Sequence, residues 1–389
     1  MTENERIYFD NAATTRVDPD VLAAMQPYFC EKYGNAASQY YELGRQSRSA
    51  LDESRARLAA LLGAQAEEIF FTAGATESDN WVIFATALAG QKKHIISSAI
   101  EHHAILEPLE YLKRNNLCDY TLLPVDSLGR IDPDDLAKAI RPDTGLVSVM
   151  YANNEVGTMQ PVRELAALCR SARIPFHTDA CQAVGKVAVD VGELDVDMLS
   201  LSAHKFHGPK GIGALYVRKG VRLAPFMHGG SQENHRRAGT SNIPGAVGLA
   251  KAAELAPTRY IADGARQFAL IEDIWKALEA AIPKIRRNGD PVNRIPNLLS
   301  MCVEGAEGEA ILGYLDMSGL QVSSGSACTS GSLEPSHVLL ACGVPVEYAH
   351  GSIRISLSHE NSEKDAAAII EAMPKVVSRL REMSVTWKG

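Results

Sequence analysis

The 389-residue sequence lacks any apolar run of about 18 residues, the length that a membrane-spanning helix needs. Its opening stretch, MTENERIYFD, also lacks the basic and then apolar pattern of a secretory leader. We therefore expect a cytoplasmic protein with no membrane partner.

Basic residues are fewer than acidic ones. The sequence has 39 Lys and Arg and 47 Asp and Glu, which gives a net charge of −8. This balance, without any basic stripe, argues against nucleic acid as a main partner.

Cysteine is scarce, and its spacing excludes the common cysteine-based scaffolds. The sequence has 7 cysteines, an odd number, and no Cys-x-x-Cys pair, so a disulfide framework or a zinc ribbon is not expected. Histidine spacings match no standard zinc signature, and we expect no intrinsic metal site. Most cysteines lie in apolar or helical contexts that are typical of small buried side chains. Cys328 is the exception, because the stretch around it, SSGSACTSGS, has no apolar pattern.

The remaining composition is that of a folded α/β protein. It is 46% hydrophobic and 22% charged, which favours a packed core over disorder. Asp18 and Asp132 each precede a proline, a pattern that predicts a helix start, and Gly63 follows a leucine-rich segment as a helix end does. Short apolar runs with β-branched residues alternate with these helices over residues 65–217. This alternation predicts an α/β fold with a mostly parallel central sheet.

The texture of the sequence changes near residue 257, where a long helical region leads into strands and helices of a smaller α+β unit. We therefore predict two domains. Residues 17–256 form the large α/β domain, and residues 1–16 and 257–389 form a small domain that carries the loop around Cys328.

Polar residues follow several predicted strands, where ligands bind in open α/β sheets. Thr76 lies at the start of a predicted helix whose first N–H groups could bind a phosphate. Taken alone, the same residues are explained as an ordinary helix N-terminus without a ligand. Asp179 ends a buried strand and needs a cationic or N–H partner. Lys205, beside His204, ends another strand, and a lysine in a dry pocket is a usable amine nucleophile. Together these features describe a pocket for pyridoxal 5′-phosphate (PLP).

Nine motifs in order make the chain similar to a known family. They are YFDNAATT, FTAGATESDN, EHHAIL, ANNEVGTMQP, HTDACQAVGK, SAHKFHGPKGIGALY, HGGSQENHRRAGT, SSGSACTSGSLEPSHV and SIRISLS. The chain resembles PLP-dependent cysteine desulfurases of the NifS/IscS type, in the fold-type I aminotransferase superfamily, and its loop and tail resemble the NifS branch. The resemblance implies a homodimeric enzyme that converts L-cysteine to L-alanine. The sulfur would pass through a persulfide to an iron–sulfur scaffold or another acceptor protein.

The resemblance also implies roles for individual residues. Lys205 resembles the Schiff-base lysine, Cys328 the nucleophile that accepts sulfur, and His102 the ring that stacks on the cofactor and moves protons. The implied cofactor-binding residues are Ala75, Thr76, Asn154, Asp179, Gln182, Ser202, His204, Lys205 and Thr240. Asp179 would face the pyridinium nitrogen, and Thr240 would come from the second subunit. Asn35 and Arg354 resemble the clamp on the substrate carboxylate, and a Cys328 persulfide could transiently contact an iron–sulfur cluster on a partner.

Some positions depart from the family pattern and leave alternatives open. Ala36 replaces a proline and Tyr41 lies where a histidine is usual, which affects the loop that carries Asn35. Cys181 replaces Thr or Val beside the cofactor, where it is either a second reactive thiol or buried filler.

Three other functions are left open by the resemblance. A selenocysteine lyase would use the same residues. An aminotransferase would not need Cys328, and a sulfur-relay scaffold without catalysis would not need Lys205.

Overall fold

The computed structural model describes residues 6–90, 92–324, 335–384 and 387. The largest feature of this part is a seven-stranded sheet with the strand order β2-β8-β7-β6-β5-β3-β4. Its strands are β2 Ile69–Thr72, β3 His94–Ser98, β4 Asp119–Leu123, β5 Thr144–Ser148, β6 Phe176–Asp179, β7 Met198–Ser202 and β8 Gly213–Val217. Neighbours from β4 through β7 pair in parallel, whereas β8 is antiparallel to both β7 and β2. The predicted mostly parallel sheet is confirmed.

Helices lie on both faces of this sheet. They are α1 Pro19–Met25, α2 Pro27–Cys30, α3 Glu42–Leu62, α4 Ala75–Leu88, α5 His103–Arg114, α6 Pro133–Ala139, α7 Val162–Ser171, α8 Val191–Leu194 and α9 Gln232–His235. One apolar core joins α3 and α7 to the sheet, and a second joins α4 and α5 to the other face around the fully buried Trp81. Two 3-10 turns, Ala66–Glu68 and Ala203–Lys205, complete this part. The arrangement is the doubly covered sheet expected of an α/β protein.

The predicted helix ends are where the sequence placed them. The Asp18 carboxylate accepts a hydrogen bond from the Asp20 N–H and caps α1, and Asp132 caps α6 in the same way. Gly63 ends α3 in the left-handed conformation, with φ of 66°. In each case a local signal, a capping carboxylate before proline or a glycine after the last turn, determines the boundary.

The remaining elements surround two further apolar clusters, apart from the first half of α10, which packs in the core beside α3. These elements are β1 Ile7–Tyr8, α10 Ile243–Ala281, β9 Ile285–Asn288, β10 Leu298–Val303, α11 Gly308–Met317, β11 Leu320–Gln321, α12 His337–Ala341, α13 Val346–Ala349, β12 Ser352–Ser356 and α14 Glu363–Met383. Strands β12, β10 and β9 form an antiparallel sheet in that order, while β1 pairs with β11 in parallel. An apolar cluster joins Phe9, near the start of the chain, to Trp275, Met301 and Ile369.

Helix α10 differs from its predicted bounds. The sequence placed a helix from residue 257, whereas the helix begins at Ile243 and runs through Pro257. The Asn242 side chain accepts a hydrogen bond from the Gly245 N–H, and Pro244 lies in the first turn, so the start signal lies further upstream. The division of the chain at residues 256 and 257 stays a prediction. No helix among the described residues is long and apolar enough to cross a membrane.

Candidate active site

A cavity of about 600 Å³ opens at the carboxyl ends of the parallel strands, where ligands bind in sheets of this kind. The residues selected from the sequence that line it are Ala75, Thr76, His102, Asn154, Asp179, Gln182, Ser202, His204, Lys205 and Arg354. Asn35 and Thr240 do not line it, and Cys328 lies outside the described residues. Segments that are far apart in the sequence therefore meet in one chamber.

The amino end of helix α4 forms one wall of this cavity. Gly74 is the N-cap of the helix, and Ala75, Thr76 and Glu77 of the first turn line the cavity. Glu77 is held in place by Arg237, whose guanidinium donates to both carboxylate oxygens at 2.8 and 3.0 Å. The first N–H groups of a helix have no partner within the helix and attract anions. This wall is therefore suited to a phosphate group.

The floor of the cavity carries two buried aspartates. Asp179 ends β6, and its Oδ1 accepts a hydrogen bond from the Cys181 N–H at 2.9 Å. Asp79, on α4, is fully buried, and neither carboxylate oxygen has a hydrogen-bond partner. Burial raises the pKa of Asp79 well above its usual range, and the charge of Asp179 adds to this effect. The floor therefore suits a cationic ring nitrogen, which would face carboxyl groups.

His177 lies behind this floor as a neutral ring. Its Nδ1 lies 2.9 Å from the Ser148 hydroxyl and its Nε2 lies 2.9 Å from the Ser200 hydroxyl. Its Nε2 is also 3.7 Å from Asp79 Oδ1. Burial lowers the pKa of His177 to about 3, so the ring supplies no positive charge to Asp79 at neutral pH. Asp79 has no ion pair with a lysine or an arginine within the described part of the chain.

Lys205 lies at the end of the 3-10 turn that follows β7. Its ammonium donates to the carbonyl oxygens of Ala12 and Ala13, both at 2.9 Å. The neighbouring His204 Nδ1 is 3.2 Å from the Thr14 hydroxyl, and burial together with Lys205 lowers the pKa of His204 to about 4. The N-terminal segment thus forms part of the cavity wall and holds the lysine amine at its mouth.

His102 has a fixed orientation because it is the N-cap of helix α5. Its Nδ1 accepts a hydrogen bond from the Ala104 N–H at 3.1 Å, which leaves Nε2 as the protonated nitrogen of the neutral ring. Burial lowers the pKa of His102, Asp179 opposes the shift and Lys205 adds to it. With its Nδ1 lone pair engaged, the neutral imidazole lining the cavity is suited to donate the Nε2 proton.

Arg354 is the cation that the antiparallel sheet contributes to the cavity. It lies on β12 and is buried, with 3% of its surface exposed. Its guanidinium donates to the Asn154 carbonyl at 2.8 Å and to Asp10 Oδ1 at 2.7 Å. Asp10 is a further site residue that was not predicted, and it lies within the motif YFDNAATT. These two bonds hold the guanidinium flat against the cavity, with further N–H groups for a carboxylate.

Two of the residues expected at the site do not line the cavity of their own chain. Asn35 is exposed, and its side chain accepts a hydrogen bond from the Ala37 N–H in the turn before α3. It does not line the cavity of its own chain, and its role in a substrate clamp stays a prediction. Thr240 is exposed beside a recess of about 170 Å³ that Glu233 and Arg237 also line. This place is compatible with an approach to a second subunit, which is the role the sequence predicted.

Cys181, the other cysteine near the cofactor position, is a buried member of the cavity wall. Burial raises the pKa of its thiol well above the usual range, and Asp179 adds to the effect. The reactive form of cysteine is the thiolate. Its environment therefore favours buried filler, the second of the two alternatives, over a reactive thiol.

The sequence profile of the Aminotransferase class-V family matches residues 7–369. The chain belongs to this family. Within it, the cysteine desulfurase IscS of Methanosarcina thermophila is 49% identical over 98% of this chain and 95% of the relative. A solved structure described as a NifS-like protein superposes with a TM-score of 0.90, at 37% identity over 96% of this chain and 100% of that chain.

A second solved structure, SspA in complex with cysteine, has a TM-score of 0.81 at 36% identity and covers 90% of this chain and 98% of that chain. These similarities place this class-V aminotransferase among the cysteine desulfurases, and the protein is an enzyme. The family uses PLP as its cofactor. The predicted fold-type I architecture is confirmed by the same neighbours.

Proposed function

We propose that the enzyme binds PLP in the described cavity and removes sulfur from L-cysteine. The observation that carries the proposal is the meeting of four groups in one cavity: the Lys205 amine, the Asp179 carboxylate, the Arg354 guanidinium and the amino end of α4. The overall reaction converts L-cysteine and the Cys328 thiol to L-alanine and a Cys328 persulfide. Atoms balance, because one sulfur atom moves from the substrate to the enzyme.

The residues around the cavity fit the cofactor's chemistry. Ala75 and Thr76, with Ser202 and His204, would hold the phosphate at the amino end of α4. The orphaned carboxyl of Asp79 and the carboxylate of Asp179 would face the ring nitrogen, since both line the floor of the cavity. The amides of Asn154 and Gln182 would bind the ring oxygen, and the ring of His102 would lie over the ring plane. When bound, the cofactor withdraws electrons from the substrate and makes its Cα–H and Cβ–S bonds labile.

Arg354 would bind and orient the substrate carboxylate. Asp10 and the Asn154 carbonyl already fix two sides of the guanidinium, so the side chain need not reorganise when the substrate arrives. The Lys205 amine would accept the proton of the substrate Cα, and the neutral ring of His102 would move a second proton within the cavity. Each of these groups lines the same cavity as the proposed cofactor contacts.

Cys328 would take up the sulfur atom. Its thiolate attacks the substrate sulfur, a new S–S bond forms, and the Cβ–S bond breaks with its electron pair kept on the carbon side. Cβ then takes up a proton, Cα regains the one it lost, and L-alanine is released. The surrounding Ser/Gly sequence, rich in residues that allow conformational freedom, is the feature that supports delivery to an acceptor. The proposed acceptors are an iron–sulfur scaffold or another sulfur-accepting protein, with a transient contact between the persulfide and the partner's cluster.

A homodimer in the cytoplasm completes the proposal. Thr240 is exposed and lies outside the cavity of its own chain, which supports its contribution to the phosphate site of a second copy. Asn35 is likewise exposed, so an assignment to the substrate clamp also requires a second copy or a rearranged loop. The domain boundaries at residues 17–256 remain part of this proposal.

The proposal is tested first at Lys205. The enzyme with PLP is treated with borohydride, which fixes the cofactor to its lysine, and the labelled peptide is found by mass spectrometry. We expect the label on Lys205, and we expect Lys205→Ala to lose the visible absorbance of the covalently bound cofactor. Lys210→Ala is the matched control, because Lys210 lines the same cavity and should leave both signals unchanged. A label on any other lysine in the wild-type protein would contradict the assignment.

A further inference from the structure

Lys186 is a second lysine close to the active site. The proposed mechanism gives it no role. Its Nζ donates a hydrogen bond to Gln182 Oε1, which is the one hydrogen bond found for it in the described part of the chain. It does not line the large cavity. Instead it borders a small pocket of about 40 Å³ on the other side of the wall, together with Lys205, His207 and Arg259. Lys186 therefore contacts Gln182 from behind.

Gln182 is held on both ends of its amide. Its Nε2 donates to the Ala12 carbonyl at 2.9 Å, and its Oε1 accepts the bond from Lys186. The side chain is buried, with 3% exposed, and lines the large cavity. A glutamine amide has two N–H donors and one carbonyl acceptor. With one N–H bonded to Ala12 and the carbonyl held by Lys186, the donor left for a ligand in the cavity is the second N–H.

The contacts with Ala12 and Lys186 disfavour the opposite orientation of this amide. A flip by 180° would place the Gln182 NH₂ group against the Lys186 amine and its carbonyl against the Ala12 carbonyl. The Ala12 contact would then pair two acceptors, and the Lys186 contact would pair two donors whenever the amine is charged. Burial lowers the pKa of Lys186 to about 7, and Lys205 and Arg354 act in the same direction. Either protonation state of the amine retains N–H groups that donate to Oε1.

The same carbonyl connects this arrangement to Lys205. Ala12 O accepts hydrogen bonds from Gln182 Nε2 and from Lys205 Nζ, both at 2.9 Å. When Lys205 leaves this carbonyl to react, the Ala12 oxygen retains Gln182 as its donor. The amide orientation set by Lys186 is then the one that the cavity presents throughout the reaction.

We propose that Lys186 is a positioning residue that fixes the Gln182 amide so that the cavity presents an N–H donor to an acceptor atom of the ligand. The inference rests on the proposed function, in which that acceptor is the ring oxygen of PLP. It predicts that Lys186 acts on cofactor binding through Gln182 alone. An apoenzyme without the Lys186 amine would lose the contact that holds the amide carbonyl away from the ligand, and an amide that presents its carbonyl would oppose an anionic oxygen.

The test is a double-mutant cycle on the affinity of the apoenzyme for PLP. Lys186→Met, Gln182→Ala and the double variant are titrated with PLP and followed by absorbance. We expect Lys186→Met to weaken PLP binding about 10-fold, the size of a lost charge-assisted hydrogen bond. The same substitution should add less than about 2-fold in the Gln182→Ala background, because two residues that act through one contact are not additive. Lys186→Arg, which retains N–H donors, should restore binding to within about 3-fold of the wild type.

Lys251→Met is the control for loss of a positive charge, since Lys251 pairs with Glu254 on α10 and does not line the cavity. It should bind PLP as the wild type does. Thermal melts of the apoenzymes establish that each variant is folded. Equal losses from Lys186→Met in both Gln182 backgrounds, or no loss in either, would overturn the inference. A wild-type apoenzyme that binds no PLP would instead overturn the proposed function, so the two failures are distinguishable.

Discussion

At the residue scale, Asp79 has the most unusual environment of the described side chains around the cavity. It is fully buried, both oxygens lack partners, and burial together with Asp179 raises its pKa well above the usual range. The folded protein therefore keeps a proton that the unfolded chain loses above about pH 4. Because the folded state binds more protons, its stability falls as the pH rises above this value.

Asp79→Asn should remove this pH-dependent cost, because Asn has the same shape and no charge. In urea unfolding of the apoenzyme we expect the free energy of unfolding of the variant to exceed that of the wild type. The difference should grow by about 1.4 kcal/mol for each pH unit above the pKa of Asp79 in the unfolded chain, until the pH reaches the pKa of Asp79 in the folded protein. The difference should vanish below pH 4. Asp52→Asn, at an exposed ion pair with Arg48, is the control without such a trend. A pH-independent difference at Asp79 would contradict the explanation.

We do not expect lysine to replace Arg354 in function, although lysine is also a cation. Lysine has one compact ammonium, so Arg354→Lys could not bind Asp10, the Asn154 carbonyl and a substrate carboxylate together. We expect KM for L-cysteine to rise about 10- to 100-fold, the equivalent of one lost charge-assisted hydrogen bond, with a smaller change in kcat. Steady-state kinetics with L-cysteine measure both. An unchanged KM would show that another group binds the carboxylate.

At the scale of elements, the turn at Gly185 supports the turn that carries Lys205. Gly185 has φ of +80°, and a β-carbon added there would lie 2.3 Å from Cβ of Phe206, the residue after Lys205. Gly185→Ala should therefore lower the free energy of unfolding by about 2 kcal/mol or more, through backbone strain and overpacking together. It should also weaken PLP binding, because Phe206 must move.

Gly220→Ala is the matched control for this prediction. Gly220 also has a positive φ, +94°, but an added β-carbon would meet nothing within 4 Å. It should cost about 1 kcal/mol for backbone strain alone and leave PLP binding unchanged. Equal effects of the two substitutions in urea unfolding and PLP titration would show that the contact with Phe206 affects neither stability nor PLP binding.

The elements also show which parts of the fold the sequence could predict. Helix ends at Asp18, Asp132 and Gly63 depend on a few neighbouring residues, so local patterns found them. Strands β4 and β9 have a weak apolar signal because most of their residues are only partly buried. The antiparallel direction of β8 has no signal of its own, because an antiparallel and a parallel strand have the same apolar run when both faces are covered.

At the scale of the whole molecule, the cavity combines parts of the chain that lie far apart in sequence. Arg354 and Asp10 are 344 residues apart, and Lys205 bonds to carbonyls 193 and 192 residues before it. The sequence motifs predicted ten of the lining residues, because strand ends converge at one edge of a parallel sheet. They could not predict the Asp10 partner of Arg354, because it depends on how the antiparallel sheet and the N-terminal segment pack. The Lys186 contact with Gln182 joins residues four apart in one turn, and its detection requires the local backbone conformation.

The central claim, transfer of sulfur from L-cysteine to Cys328, is tested most directly by trapping the enzyme-bound sulfur. The PLP-loaded enzyme is mixed with L-cysteine, alkylated at once, digested and measured by mass spectrometry. We predict one additional sulfur atom on Cys328. We also predict that Cys328→Ala keeps the cofactor absorbance and gains no sulfur, while Cys30→Ala, at a cysteine that is exposed, still acquires it on Cys328. Sulfur on another cysteine, or alanine formation without any sulfur on Cys328, would contradict the account.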